Sequence, residues 1–245
     1  MFSWACQIKN TSIRFTLVIV MFLNSGSYSF ASDDNLLRGR ATLGYSSYTL
    51  SFTGSSLPTS DVNSTYMFFG AGATFATGKI YFDAAFNSSM NATHDWSGFN
   101  GDFERFDMAF TGGYLLSQGW SVFGGFKTGE SIFYQDSLPG YRLTFEAFGP
   151  FVGGSKVIHL DQSSSVSLSA ALAIMTGDIF DNFSLNDSGN TYGLSVSASY
   201  NLPLGDNQGL KARANYHSYS FSDFSTVVDV DESILSVEAS YYMNF

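Results

Sequence analysis

His217 and Ser220 lie within four residues of one another, and Glu232 follows a short way along the chain. A histidine, a serine and a carboxylate are the side chains that acyl hydrolysis uses as base, nucleophile and orienting group. The base must reach its nucleophile at about 2.6–3.2 Å, so both have to stand on one face of whatever element carries them. In a strand, side chains alternate between faces. Ser218 and Ser220 would then oppose His217, and Tyr219 fills the position two along. The region is therefore expected to hold a histidine without a catalytic role.

Other residue groups invite chemistry and fall short of it. Gly70-Ala71-Gly72-Ala73-Thr74-Phe75 has phenylalanine where the third glycine of a dinucleotide fingerprint belongs. In Gly124-Gly125-Phe126-Lys127-Thr128 a phenylalanine separates glycine from lysine, which rules out a phosphate loop. Asp178, Asp181 and Asp187 in one segment, and Asp223, Asp229, Asp231 and Glu232 in another, offer oxygens that suit calcium. They lack EF-hand spacing and read as solvated charges. The single cysteine, Cys6, is no basis for a disulfide or a thiolate metal site. No catalytic residue, metal or cofactor is expected.

The elements that carry these residues announce themselves by period. In 164–176, Val166, Leu168, Ala170, Leu172 and Ile174 alternate with Ser165, Ser167, Ser169, Ala171 and Ala173. In 192–202, Leu194, Val196, Ala198 and Tyr200 alternate with Gly193, Ser195, Ser197 and Ser199. Strands alternate this way and helices do not. Equivalent runs at 37–53, 64–77, 79–92, 103–116, 120–134, 141–158, 209–221 and 232–245 bring the count to about ten strands. The connections 77–79, 116–119, 159–163 and 203–208 are short and turn-like, whereas 54–63, 93–102, 177–190 and 222–231 are longer.

Lys9 and Arg14 precede the apolar run 15–23 and a polar, small-residue stretch ending at Ala31, the layout of a secretory signal. Cleavage after Ala31 divides the chain into a signal peptide, 1–31, and a barrel domain, 32–245. The mature part holds nine basic against 21 acidic residues, a net charge of −12 that argues against nucleic-acid binding. Aromatic residues make up 17% of the chain and charged ones 13%, about half the usual charged share. Much of the surface therefore faces something other than water, and closed barrels are the sheet architecture that spans lipid.

Charge decides which face is which, because arginine or lysine on the lipid side near the midplane costs about 2–4 kcal/mol. The even alternation places Arg38, Arg40, Lys79, Arg105, Lys127, Arg142, Lys156, Lys211 and Arg213 on the polar face, with Asp83, Asp107, Glu146 and Glu238. Phe82, Phe106, Phe110, Leu143 and Phe145 take the other. The polar set is expected to line a lumen positive by about five charges.

Leu235, Val237, Ala239, Tyr241, Met243 and Phe245 alternate up to a terminal aromatic residue. Here the chain resembles the bacterial outer-membrane β-barrel proteins, whose last strand commonly ends in phenylalanine. The resemblance implies an antiparallel up-and-down transmembrane barrel in the bacterial outer membrane. It also implies recognition of Tyr241, Met243 and Phe245 by the barrel-assembly machinery, with outer-membrane lipids and lipopolysaccharide as surroundings. Within that class, His217, Ser220 and Glu232 loosely resemble the His, Ser and Glu of lipid A deacylases, where the first two share a face. His94-Asp95 resembles one Asp and His pair of the omptin proteases, without the second acidic pair that family requires.

The expected function is non-enzymatic: a narrow passive channel or a structural outer-membrane component. Ten strands stand near the size at which side chains fill a barrel, so a salt-bridged plug competes with a pore. Alternatives are a surface binding or adhesion protein, displaying loop aromatics such as Trp96, Phe99, Phe180 and Phe183, and a lipid A deacylase-like hydrolase.

Overall fold

The computed structural model describes residues 35–53, 60–96, 99–160, 164–183, 185–225 and 229–245; the expected export signal, 1–31, lies outside them. Ten strands follow one another: β1 Asn35–Thr53, β2 Ser60–Thr77, β3 Ile80–Trp96, β4 Phe99–Leu115, β5 Trp120–Tyr134, β6 Arg142–His159, β7 Ser165–Asp181, β8 Asn186–Pro203, β9 Gln208–Ser222 and β10 Asp229–Asn244. Each pairs antiparallel with its successor, and β10 pairs with β1 from Arg38↔Asn244 to Thr53↔Asp229, so the sheet closes without an edge. Closure leaves no unpaired sheet edge, which is the condition for strands to cross lipid.

A transmembrane strand needs about 9–11 residues. Here β5 has 15 and β1 has 19, so the wall extends past the bilayer. The excess lies at the rim opposite the one with the tight turns 78–79 and 116–119, and its composition shows why. On β1, Leu43 and Tyr45 point outward and are half exposed, but farther along Tyr48, Leu50 and Phe52 point inward and are buried. On β7, Leu168, Leu172 and Ile174 face out, whereas Met175 and Ile179 face in. On β10, Leu235 and Val237 face out, and Val230 and Ile234 face in. Apolar residues thus change sides along the strand. Where the outside is lipid, the outer face is apolar; where the outside is water, the apolar face must turn inward and pack on itself.

This crossover corrects two expectations. Segments 93–102 and 177–190 are mostly strand, because β3 runs to Trp96, β4 starts at Phe99, β7 runs to Asp181 and β8 starts at Asn186. The longest connection between strands, 135–141, has seven residues, so the loop rim is longer than the turn rim by only a few residues per connection. The second correction is a facing. Leu143 and Phe145 are buried in the lumen, 2% and 1% exposed, whereas even alternation had put them on lipid.

One strand changes parity by a bulge. Between Ser88 and Ala92 the β3 ladder slips, with Asn91 in the left-handed region at φ 34°, a conformation that asparagine tolerates better than most residues. Tyr81, Asp83 and Asn87 line the lumen before it, and Ala92 and His94 are the buried positions after it.

Candidate functional site

The lumen has two halves. Toward the loop rim it is filled by an aromatic plug: Tyr48 packs on Phe103 at 5.2 Å between ring centroids, Phe103 on Phe133 at 5.2 Å and on Tyr66 at 5.4 Å. Phe145 meets Phe221 edge-on at 4.9 Å. These rings are buried, with Leu50, Val62 and Val230 packed among them at 0% exposure. Toward the turn rim lies a polar chamber of about 500 Å³. Four of the rings that border it, Phe68, Tyr81, Phe123 and Tyr242, lie over a glycine of the next strand. A Cβ at Gly113 would collide with the Tyr81 ring, and one at Gly209 with that of Tyr242. The glycines leave room for the rings and keep the chamber open.

Between the halves sits an ionic knot. Arg105, 5% exposed, points into the lumen from β4, two residues along from Phe103. Its Nε and Nη2 donate to both oxygens of Asp107 at 2.9 and 2.8 Å, and its Nη1 donates to Ser131 Oγ and to Glu232 Oε1, each at 2.7 Å. The guanidinium also stands 5.0 Å from the centre of the Tyr48 ring. Four of its five N–H donors are thus engaged, three of them by carboxylates, as burial of a charge demands.

Beside the knot, His217 accepts the Ser195 hydroxyl at Nδ1, 2.7 Å away, or donates to it in the other tautomer. Tyr219 Oη lies 3.1 Å from Ser195 Oγ, and Lys127 Nζ donates to that phenol. Alternation along β9 puts Ser220 on the face opposite His217, as the spacing implies. Ser220 is exposed on the outer face, and Glu232 belongs to Arg105. Ser195 is the neighbour that the ladder supplies, through the pair Ser195↔His217. This dyad is within proton-transfer reach, but no carboxylate among the described residues bonds the imidazole. The omptin-like pair also separates: His94 is buried, bonded through Nε2 to the Tyr134 carbonyl at 2.8 Å, whereas Asp95 is exposed.

Of the residues expected to line the lumen, Arg38, Arg40, Asp83, Arg105, Asp107, Lys127, Lys211, Arg213 and Glu238 border the chamber. Lys79 does not; it is exposed in the turn before β3. Arg142 and Glu146 have the outward parity of β6, because Leu143 and Phe145 between and beside them take the inward one. Lys156 is also outward, and it snorkels to the turn rim, where it donates to the Gln118 carbonyl and lies 5.1 Å from the Trp120 ring. The chamber thus has six cations against three carboxylates, a surplus of three in place of five. Three ion pairs absorb the carboxylates: Arg40 with Asp83 at 2.6 Å, Arg105 with Asp107 at 2.8 Å, and Arg213 with Glu238 at 3.4 Å. Tyr241 and Met243 face outward, and exposed Phe245 follows β10.

The acidic segments serve as ties. Asp181 accepts the amides of Phe183 and Leu185, both at 2.9 Å. Asp187 accepts the Ser225 amide and hydroxyl at 3.0 and 2.9 Å. Among the described residues, no three His, Cys, Asp or Glu side chains gather as metal ligands.

No family model matches the chain, and no curated protein matches it. Solved structures do. The outer-membrane protease OmpT from Escherichia coli superposes with a TM-score of 0.51 at 10% identity, covering 90% of this chain and 99% of its own. The translocator domain of the autotransporter NalP from Neisseria meningitidis gives 0.50 at 10% identity, covering 97% and 96%. At such identities the likeness is one of fold, and functional residues do not transfer. Together with a girdle of exposed apolar side chains such as Phe82, Phe110, Phe126, Val152 and Leu172, it gives this chain the fold of an outer-membrane β-barrel.

Proposed function

We propose that this barrel is a non-enzymatic outer-membrane component whose lumen is a blind chamber, open to the periplasm and sealed toward the outside, rather than a through-channel. Short turns mark the periplasmic rim of bacterial barrels, which puts the chamber on the periplasmic side. The observation that carries the reading is the plug, in which Tyr48, Tyr66, Phe103 and Phe133 pack at ring distances of 5.2–6.2 Å. Water and ions find no polar path through such a layer. The plug adds an apolar layer above the lumenal ion pairs that composition suggested, and the short loops supply little surface for an adhesin. Tyr241, Met243 and Phe245 are the pattern by which the assembly machinery would take up the strand.

Planar-bilayer recording tests it. The refolded protein should give no steady conductance, and Phe103→Ala with Phe133→Ala should open one. Steady conductance from the unaltered chain would overturn the blind reading.

A further inference from the structure

The charges of the chamber are not spread evenly. Of the three cations left over by its ion pairs, Lys127 is engaged by Tyr219, and Arg38 by Asn244 Oδ1 at 2.8 Å and the Tyr242 ring at 4.3 Å. Lys211 remains. No described side chain bonds or ion-pairs it, and Glu238 and Asp83 act on it only at longer range. Two residues along on the same face, Arg213 holds Glu238 at 3.4 Å through Nη1, and its Nε is buried with no acceptor.

The neighbouring positions are donors. In register, Lys211 stands between Asn201 on β8 and Ser240 on β10, and Arg213 stands opposite Ser199 on β8. Ser240 and Thr42 share one hydrogen bond at 2.8 Å, which leaves one of the two hydroxyl protons to give. This stretch of wall therefore presents an ammonium, guanidinium N–H groups and hydroxyls, drawn from β8, β9 and β10, with β1 behind. Crowded cations in an enclosed, low-dielectric space repel one another, and a buried donor without an acceptor loses its hydration uncompensated. An anion with several acceptor oxygens offsets both.

We propose that this wall is a binding site for a small oxyanion of the phosphate class, free or on a small organic molecule, held by Lys211 and Arg213 with Ser240 and Ser199 as hydroxyl donors. A tetrahedral oxyanion can use donors offered from three neighbouring strands; a planar carboxylate would use fewer of them. Guanidinium and ammonium groups together favour phosphate for the same reason. The proposal rests on the blind-chamber reading for its direction of entry, from the periplasm, and for its outcome, retention rather than passage.

The test uses the folded barrel in zwitterionic nanodiscs, with heat-modifiable migration to verify folding. Calorimetric titration with inorganic phosphate and with glycerol phosphate should show saturable binding of at least one. Binding should weaken about tenfold or more in Lys211→Met, the worth of one charge-assisted contact. Lys211→Arg should retain it, and Lys79→Met in the exposed turn should leave it unchanged. If Lys211→Met does not fold, acetylation of the unaltered protein decides: phosphate should shield Lys211 and leave Lys79 reactive. Absence of binding by both ligands, undiminished binding in folded Lys211→Met, or an unshielded Lys211 would each overturn the site. Conductance with intact phosphate binding would instead overturn the blind reading and leave the site standing.

Discussion

Arg105 on β4 and Glu232 on β10 meet across the lumen at 2.7 Å, although three strands separate theirs around the shorter way of the barrel. Both are buried, at 5% and 3% exposure. The pair therefore ties opposite walls together directly below the aromatic plug, where a ten-strand barrel would otherwise depend on side-chain packing alone.

Its two halves should not be equally costly to remove. Arg105→Met leaves Glu232 buried with no cation, a loss of about 3–5 kcal/mol. Glu232→Gln leaves Arg105 still bound by both oxygens of Asp107, and the amide oxygen can still accept, so a smaller loss is expected. Adding Glu232→Gln to Arg105→Met should restore part of the stability by removing the stranded charge. Urea titrations in lipid vesicles measure all three. A double variant that loses the sum of both single losses would show that the two residues act independently.

The crossover of apolar residues predicts a contrast within β6. Phe145 and Phe148 are three residues apart and chemically identical, but Phe145 is 1% exposed against Phe221 and Phe148 is 56% exposed on the outer face. Phe145→Ala removes a ring from the plug and should cost about 3–5 kcal/mol. Phe148→Ala exchanges one apolar group for a smaller one against lipid and should cost clearly less. Equal losses in vesicle unfolding would contradict the assigned facing.

That contrast also marks how far the sequence could be read. The period-two pattern gives the strand count, the closed antiparallel barrel, and the inward facing of Arg38, Arg40, Lys127, Lys211 and Arg213, because within the bilayer apolar means outward. Beyond the bilayer the same pattern means inward, and nothing in the local sequence of β6 marks the level at which the meaning changes. Leu143 and Phe145 therefore face opposite to what even alternation implies, and Arg142 and Glu146 with them. The site is less legible still. His217 has its partner through the ladder pair with Ser195, and Arg105 reaches Glu232 from the other side of the lumen. Both are products of closure and register, which spacing along one strand does not contain.

The register itself is tested on β7, because a slip of one residue exchanges lumen and lipid for every side chain of a strand. Leu172 is 63% exposed on the outer face, and Ser169 lines the chamber, its hydroxyl 2.7 Å from that of Ser197. Both lie within the stretch of β7 whose outer face is apolar, between Leu168 and Ile174, so both are within the bilayer. Arginine at 172 must enter lipid, at about 2–4 kcal/mol near the midplane. Arginine at 169 forfeits one hydroxyl pair, about 0.5–1.5 kcal/mol, and adds a cation to a wall that already has a surplus. Asp83, Glu238 and the aqueous opening can compensate that charge, whereas nothing in the hydrocarbon can compensate the other. Leu172→Arg should therefore unfold at lower urea concentration than Ser169→Arg in vesicles of one composition. Equal midpoints, or the reverse order, would mean that β7 is paired one residue out of place, and the polar wall of Ser167, Ser169 and Ala171 would then belong to the lipid side.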